Sequence, residues 1–493
     1  MERLSEKQFP RVSRPVRAVQ FGEGNFLRAF VDYFIDIANE KGVTDMGVAV
    51  VKPIPMGSLD SFREQDNLFT VCLRGRMGGA VVDDSRIVSC IEQVVDPYAD
   101  FAAYDELALG EELRFVFSNT TEAGIVYDES DSMDGDPPKT FPGKLTRLLH
   151  RRFTHFGGGS DKGLIVIPCE LIERNGDNLH SCVKKLSALW ALGEEFDAWV
   201  EESCVFCNTL VDRIVTGYPR GKGEAEALWE KLGYQDTLLD VAEPFGLWVI
   251  ESRADKSAGI SAELPLDKAG LPVLFTADQT PYRERKVRIL NGAHTVTVPA
   301  AFLAGEDIVR DCMADPTIRG FMERALNDEI LPTLTLPAQE VRDFAASVLE
   351  RFENPFIDHA LLSITLNSVS KWKARVLPSF RDSVRNTGKL PDCMTFSLAA
   401  LIALYNGNSM ENGALMGSRN GQPYAIQDDA PVLEFFLQNS ALPATELAEK
   451  VLSNTAFWSE DLTAYEGFAE KVARYLEAIR QRGTRSVMEE LVK

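Results

Sequence analysis

The stretch VRAVQFGEGNFLRAFVDYFIDIANEKG, residues 16–42, decides the fold. Residues 17–21 are a short apolar strand, and Gly22 and Gly24 form a turn. Phe26, Phe30, Phe34 and Ile37 then recur at helical spacing until Gly42 ends the helix. GVAVVKP (47–53) follows as a buried parallel strand, which completes a βαβ unit. A Gly-x-Gly turn between strand and helix lets a pyrophosphate approach the backbone at the helix N-terminus. Leu27 holds the place of the third glycine of the full fingerprint, so a plain βα turn stays open as the alternative. Arg28 is unexplained by either reading.

Further strands are expected at 69–75, at 80–94 as a hairpin, at 114–119 and at 163–171, with helical patterns between several of them. This predicts a Rossmann-type doubly wound sheet over residues 1–280. From 281 to 493 the periodicity is mostly helical, as in DPTIRGFMERALNDEILPTL, EVRDFAASVLERF and TFSLAALIALY, and a mostly α-helical C-terminal domain is expected. The Gly- and Asn-rich run 406–429 reads as a surface loop.

Length and composition bound the function. A chain of 493 residues with 45% hydrophobic content can bury two cores. No run approaches the roughly 20 apolar residues of a membrane span, and residues 1–15 contain no secretion signal, so a cytoplasmic location is expected. The net charge of −22 argues against nucleic acid and anionic membranes as partners. If the ligands are anionic, the cations that hold them must be local. Eight scattered cysteines suggest reduced thiols, and the lone pair Cys204 and Cys207 lacks the second ligand pair that zinc requires.

Four places carry candidate chemistry. At the end of the second strand, Lys52 stands where an acidic residue would favour NAD, and a basic one there points towards NADP. Ser118, Asn119, Thr120 and Thr121 end another strand at the edge where cofactors lie, or cap the next helix. In RKVRILNGAH, an α-helix places Asn291 about 140° and His294 about 80° round from Lys286, on an arc shared with apolar residues. A partly desolvated lysine there can exchange a proton near neutrality, and Asn291 and His294 can stabilise an alkoxide. A core histidine and a snorkelling lysine are the bland alternative. His359, Lys371, Lys373 and Arg375 gather in one further stretch that could hold a carboxylate or form a solvated face.

QFGEGNFLRAF, NTLVDRI, KVRILNGAH and RFENP…KWKARVLP together resemble the mannitol dehydrogenase family of polyol-specific long-chain dehydrogenases, over nearly the whole chain. The family's GxGxFxRA turn falls on Gly22, Gly24, Phe26, Arg28 and Ala29, so Arg28 belongs to the turn, acting on the cofactor or on helix–sheet packing. The resemblance implies NAD, held by Phe21, Gly22, Gly24, Asn25, Phe26, Arg28, Lys52, Asn119 and Thr120, and a metal-independent mechanism. It makes Lys286 the general acid/base beside Asn291 and His294. Asp212 becomes their partner, or alternatively a buried acceptor for Arg213. FSNTTEAGI, IPCELIERNGD and CNTLVDRIVTGYPR look most like the branch that interconverts D-altronate and D-tagaturonate. Leu171 replaces an asparagine of the mannitol enzymes and Ser363 an arginine. A sugar acid is therefore expected as the substrate, with His359, Lys371 and Arg375 binding it. A fructuronate or mannitol enzyme, or a dinucleotide-sensing binding protein, would share much of this pattern.

Overall fold

The computed structural model describes residues 1–493 apart from the side chains of 254–258. It divides into two compact units, Met1–Gly75 with Val81–Gln279, and Arg76–Ala80 with Thr280–Lys493.

The first unit is built on a parallel sheet of β1 (Val16–Phe21), β2 (Gly47–Val51), β3 (Ile91–Val95), β4 (Phe115–Ser118), β5 (Ile165–Pro168) and β6 (Val205–Phe206). Their spatial order is β3-β2-β1-β4-β5-β6, all neighbours parallel, which is the doubly wound order with its reversal beside β1. Alternation along the strands divides the core. Ala18, Val48, Val50, Phe115, Phe117, Ile165 and Ile167 face the helix that starts at Asn25, against Leu27, Phe30, Phe34 and Ile35. Val19, Phe21, Ala49, Val51, Val116 and Val166 face the opposite layer, against Leu145, Leu148, Phe196 and Trp199. Each buried Val, Leu, Ile or Phe among them contributes about 1.5–3 kcal/mol. Strands Asn208–Asp212, Leu247–Glu251 and Val273–Thr276 form a second sheet, whose Trp248 packs its ring 5.5 Å from that of Phe30.

The hairpin expected at 80–94 is corrected. Ala80–Val88 pairs with Phe69–Met77 in a four-stranded sheet, while Ile91–Val95 leaves it to become the edge strand β3.

The second unit is mostly helical. Its centre is made by Gly292–Ala304 and Asp392–Leu404, both apolar nearly all round and therefore buried, with Phe468–Arg482 packed on the latter. Residues 406–429 are not a loop. Gly407–Glu411, Ala414–Arg419 and Gln422–Ile426 form an antiparallel meander. Its two turns are Asn412-Gly413 and Asn420-Gly421, with φ of 49° and 80°, and of 52° and 79°. Positive φ at both central residues is the hairpin turn that Asn-Gly favours. Among the described residues no helix is long and apolar enough to cross a membrane.

Replacing Gly413 and Gly421 by alanine forces Cβ-bearing residues into that left-handed backbone. It is expected to cost about 1–2 kcal/mol per position, read as an earlier urea midpoint for the second unit.

Candidate active site

In the first unit the turn after β1 is shaped by contact. Gly22 has φ +125°, and a Cβ there would lie 3.0 Å from the Asn119 carbonyl oxygen and 3.1 Å from Leu27 Cδ1. Only glycine fits. Leu27 thus fills the space that a third glycine would leave, and the incomplete fingerprint is made good by side-chain packing. Gly24 is exposed, with nothing within 4 Å of a Cβ, so the backbone at the helix start is open to a phosphate.

Of the other expected cofactor residues, several are occupied elsewhere. Phe21 is fully buried against Phe141 and Tyr104. Phe26 stacks on Phe30 at 5.0 Å. Arg28 is 5% exposed. Its guanidinium donates to the Leu238 carbonyl and to Asn25 Oδ1 (2.6 Å), lies 3.8 Å from Asp240 and sits over the Phe69 ring. This is the packing role, tying the turn to the four-stranded sheet. Asn119 Nδ2 donates to the Cys169 carbonyl at 3.0 Å. Thr120 donates through N and Oγ1, both at 2.9 Å, to Glu170, which also accepts from Ser118 Oγ. The helix-cap reading of 118–121 fails, since the next helix starts at Phe141 with Thr140 as its cap. Glu170, unnoticed in the sequence, is the buried brace between the ends of β4 and β5, and burial pushes its carboxyl up against the hydrogen bonds it accepts.

Lys52 is not available to a 2′-phosphate. It is 4% exposed, and its Nζ lies 2.5 Å from Asp96 Oδ2, just beyond the end of β3. Asp212 ends the strand Asn208–Asp212 and is buried. Arg213 donates to the carbonyls of Ala29, Pro244 and Phe245.

In the second unit Lys286, Asn291 and His294 lie on one continuous helical run over 280–304, but the run is not α-helical throughout. Lys286–Asn291 is a π-helix between Thr280–Arg285 and Gly292–Ala304, and Gly292 N–H bonds to Val287 C=O, five residues back. The α-helical angle for Asn291 is therefore corrected. In a π-turn residue i+5 is turned much less from the direction of residue i than in an α-helix, so Asn291 swings towards the face of Lys286. Gly292 lies close to the helix Ser368–Arg375, where a Cβ would be 3.5 Å from the Arg375 carbonyl oxygen.

The His294 ring stacks on Phe352 at 4.1 Å and meets His359 edge-on at 5.7 Å. Its Nε2 is buried without a hydrogen-bond partner among the described residues. Burial, with His359, Arg375, Arg351 and Lys371 around it, pushes the ring from its ordinary 6.5 down to about 3. Burial first, then the neighbouring cation, also lowers His359 (by Lys371) and Lys371 (by Arg375). Lys371 and Arg375, four apart, share one face of Ser368–Arg375. Lys373 points elsewhere, to Ser459 Oγ at 2.6 Å, and His359 lies on the preceding loop rather than on that helix. Arg375 has no hydrogen-bond or ion-pair partner among the described residues, and Lys371 Nζ reaches only the Ile364 carbonyl, at 2.8 Å. Cations of this kind, half buried and short of carboxylates, form a site for an anion. Arg351 and Phe352 were missed in the sequence, although both stand in the RFENP segment.

A doubly wound domain with an open Gly-x-Gly turn, followed in the same chain by a helical domain carrying a lysine, an asparagine and a neutral histidine, is the make-up of a dinucleotide-dependent oxidoreductase. The profile of the mannitol dehydrogenase Rossmann domain matches residues 16–263 and that of the mannitol dehydrogenase C-terminal domain residues 278–480. The chain belongs to the mannitol dehydrogenase family. It is 45% identical to the altronate oxidoreductase of Klebsiella pneumoniae (strain 342) and 46% identical to that of Escherichia coli O7:K1, in both cases over 100% of each chain. Its fold is similar to that of a D-sorbitol dehydrogenase (TM-score 0.77, 22% identity, covering 96% of this chain and 95% of the other). It is also similar to that of Pseudomonas fluorescens mannitol 2-dehydrogenase (0.67, 21%, 99% of each).

The depressed His294 sets a pH dependence. The folded ring stays neutral where the unfolded one takes up a proton, so the stability it contributes is complete above about pH 6.5 and is lost as pH falls from there towards 3. NMR of the labelled imidazoles should show one of the five histidines, assigned to His294, with no titration between pH 8 and 4.5.

Proposed function

We propose that the chain is an NAD-dependent dehydrogenase that interconverts D-altronate and D-tagaturonate. The observation that carries the reading is the set of uncompensated cations, Lys371 and Arg375 with His359, beside His294 on the helical run of Lys286 and Asn291. A neutral polyol could take only hydrogen bonds from such a group, whereas the carboxylate of a sugar acid also supplies the charge that the cluster lacks. The full-length relatives called altronate oxidoreductases support the same substrate.

The turn at Gly22 and Gly24 and the tied-up Lys52 fit a dinucleotide without a 2′-phosphate. When bound, it supplies the acceptor and donor of a hydride. The protein's own groups do the rest. Lys286 takes the proton of the substrate hydroxyl as the ketone forms and returns it in the reverse direction. The Asn291 amide donates to the same oxygen, where negative charge develops. His294, held neutral, offers Nε2 as a second hydrogen-bonding group without adding a positive charge that would compete with Lys286 for the proton's place. Lys371, Arg375 and His359 fix the carboxylate, which places the carbinol carbon in reach and reduces the freedom lost in the reaction. The cytoplasm suits a protein with eight buried, unpaired cysteines.

Lys286→Ala is expected to lower kcat by about 10²–10⁴-fold while NADH still binds, measured by turnover and by fluorescence titration. Normal turnover in that variant removes Lys286 from the mechanism. Arg375→Ala should raise KM for tagaturonate about tenfold or more, with a smaller effect on kcat. Tagaturonate, fructuronate and fructose assayed in parallel with NADH decide the substrate, and preference for fructose would overturn the carboxylate reading.

A further inference from the structure

The ends of β2 and β3 lie in register, with Val51 beside Val95, so Lys52 and Asp96 emerge together at the carboxyl edge of the sheet, where ligands of doubly wound folds lie. The residue after the second strand is basic, and the acid sought there is absent. It is present one strand further out. An ammonium has three donors, and all three of Lys52 are spent, on Asp96 Oδ2 at 2.5 Å and on the carbonyls of Pro55 at 3.4 Å and Gly57 at 3.3 Å. Its charge also lies over the Tyr98 ring, whose hydroxyl donates to the Pro53 carbonyl and so braces the same loop.

Asp96 is differently placed. Oδ1 accepts from the Tyr98 backbone N–H at 3.0 Å and Oδ2 takes Lys52, which leaves part of the acceptor capacity of a carboxylate unused. Its side chain retains 17% exposure. The loop that follows Lys52 presents Ile54 and Met56 to solvent, the latter 70% exposed.

We propose that Asp96, supplied by the third strand of the sheet rather than the second, is the residue that selects the unphosphorylated dinucleotide. It accepts from a ribose hydroxyl, holds Lys52 away from solution and repels a 2′-phosphate. The inference rests on the reading of NAD as the cofactor. Selection of this kind combines an attractive contact for one ligand with a repulsive one for its competitor.

The test is titration of the purified full chain with NADH and with NADPH, by calorimetry or by quenching of tryptophan fluorescence, for the parent, Asp96→Asn and Lys52→Met. The two substitutions change the local charge in opposite directions. Asp96→Asn frees the ammonium and should weaken NADH and strengthen NADPH, each by about tenfold. Lys52→Met leaves the carboxylate uncompensated and should push the NADH:NADPH affinity ratio further towards NADH. An ion pair that merely holds the loop in shape predicts a different result, both affinities falling together in both variants, and that outcome overturns the proposal. An unchanged ratio in folded Asp96→Asn also overturns it while leaving NAD as the cofactor. If Asp96→Asn does not fold, the ratio for Lys52→Met decides, and no shift in it is a refutation. A parent protein that binds neither nucleotide, or prefers NADPH, overturns the cofactor reading together with this one.

Discussion

A hydrogen bond that spans five residues instead of four, from Gly292 N–H to the Val287 carbonyl, sets the chemistry of the second unit. In an unbroken α-helix Lys286 and Asn291 would look in directions well over a right angle apart. The wider turn brings them towards one face, and the α-helix that resumes at Gly292 carries His294. Such π-turns are rare and recur at functional sites. This one is held from both sides. Arg285, buried over the Phe344 ring, pairs with Glu340, and Arg288 pairs with Asp382 at 2.6 Å. The helix beyond the turn is buried nearly all round and cannot rotate to regain an α-helical register without moving the core.

The second organising fact is electrostatic. Most buried or half-buried cations in the chain have carboxylate or carbonyl partners, as Arg28, Lys52, Arg152 and Arg213 do. Arg375 has no such partner among the described residues, and Lys371, like Arg152 and Arg213, meets carbonyl oxygen alone, with Asp428 acting on it from a distance. Grouping such charges costs energy that a carboxylate among them would offset. His294 answers to the same field, since surrounding cations add to burial in keeping its ring uncharged.

Much of the fold was legible because its signals are local. Residues 16–53 show strand, glycine turn, helix and strand in order, and the core period of each matches the element formed. The meander at 407–426 is equally local, announced by two Asn-Gly pairs, though composition alone does not separate such turns from a surface loop. The π-turn was not legible, because no residue pattern separates an insertion of one residue per turn from an ordinary amphipathic helix. Pairings across the sheet were hidden for a different reason. Lys52 reads as a free cation until Asp96, 44 positions later, is set beside it by strand register. The role of Arg28 likewise depends on Leu238 and Asp240, over two hundred residues away. The Lys286, Asn291 and His294 trio could be found from sequence spacing, whereas the Phe352 stack and the nearness of Arg351 needed the tertiary fold.

The −22 net charge gives the cation cluster a further meaning. A sugar-acid anion drifting towards this protein crosses a predominantly repulsive atmosphere before it meets an attractive well a few ångströms deep. Mobile ions flatten the outer field, which arises from exposed carboxylates, within about 8–10 Å at ordinary ionic strength. They reach the half-buried well far less. Dissolved salt therefore lowers the approach barrier more than it weakens the final grip, so capture of an anionic ligand here is helped by the ionic strength that hinders it on a basic protein.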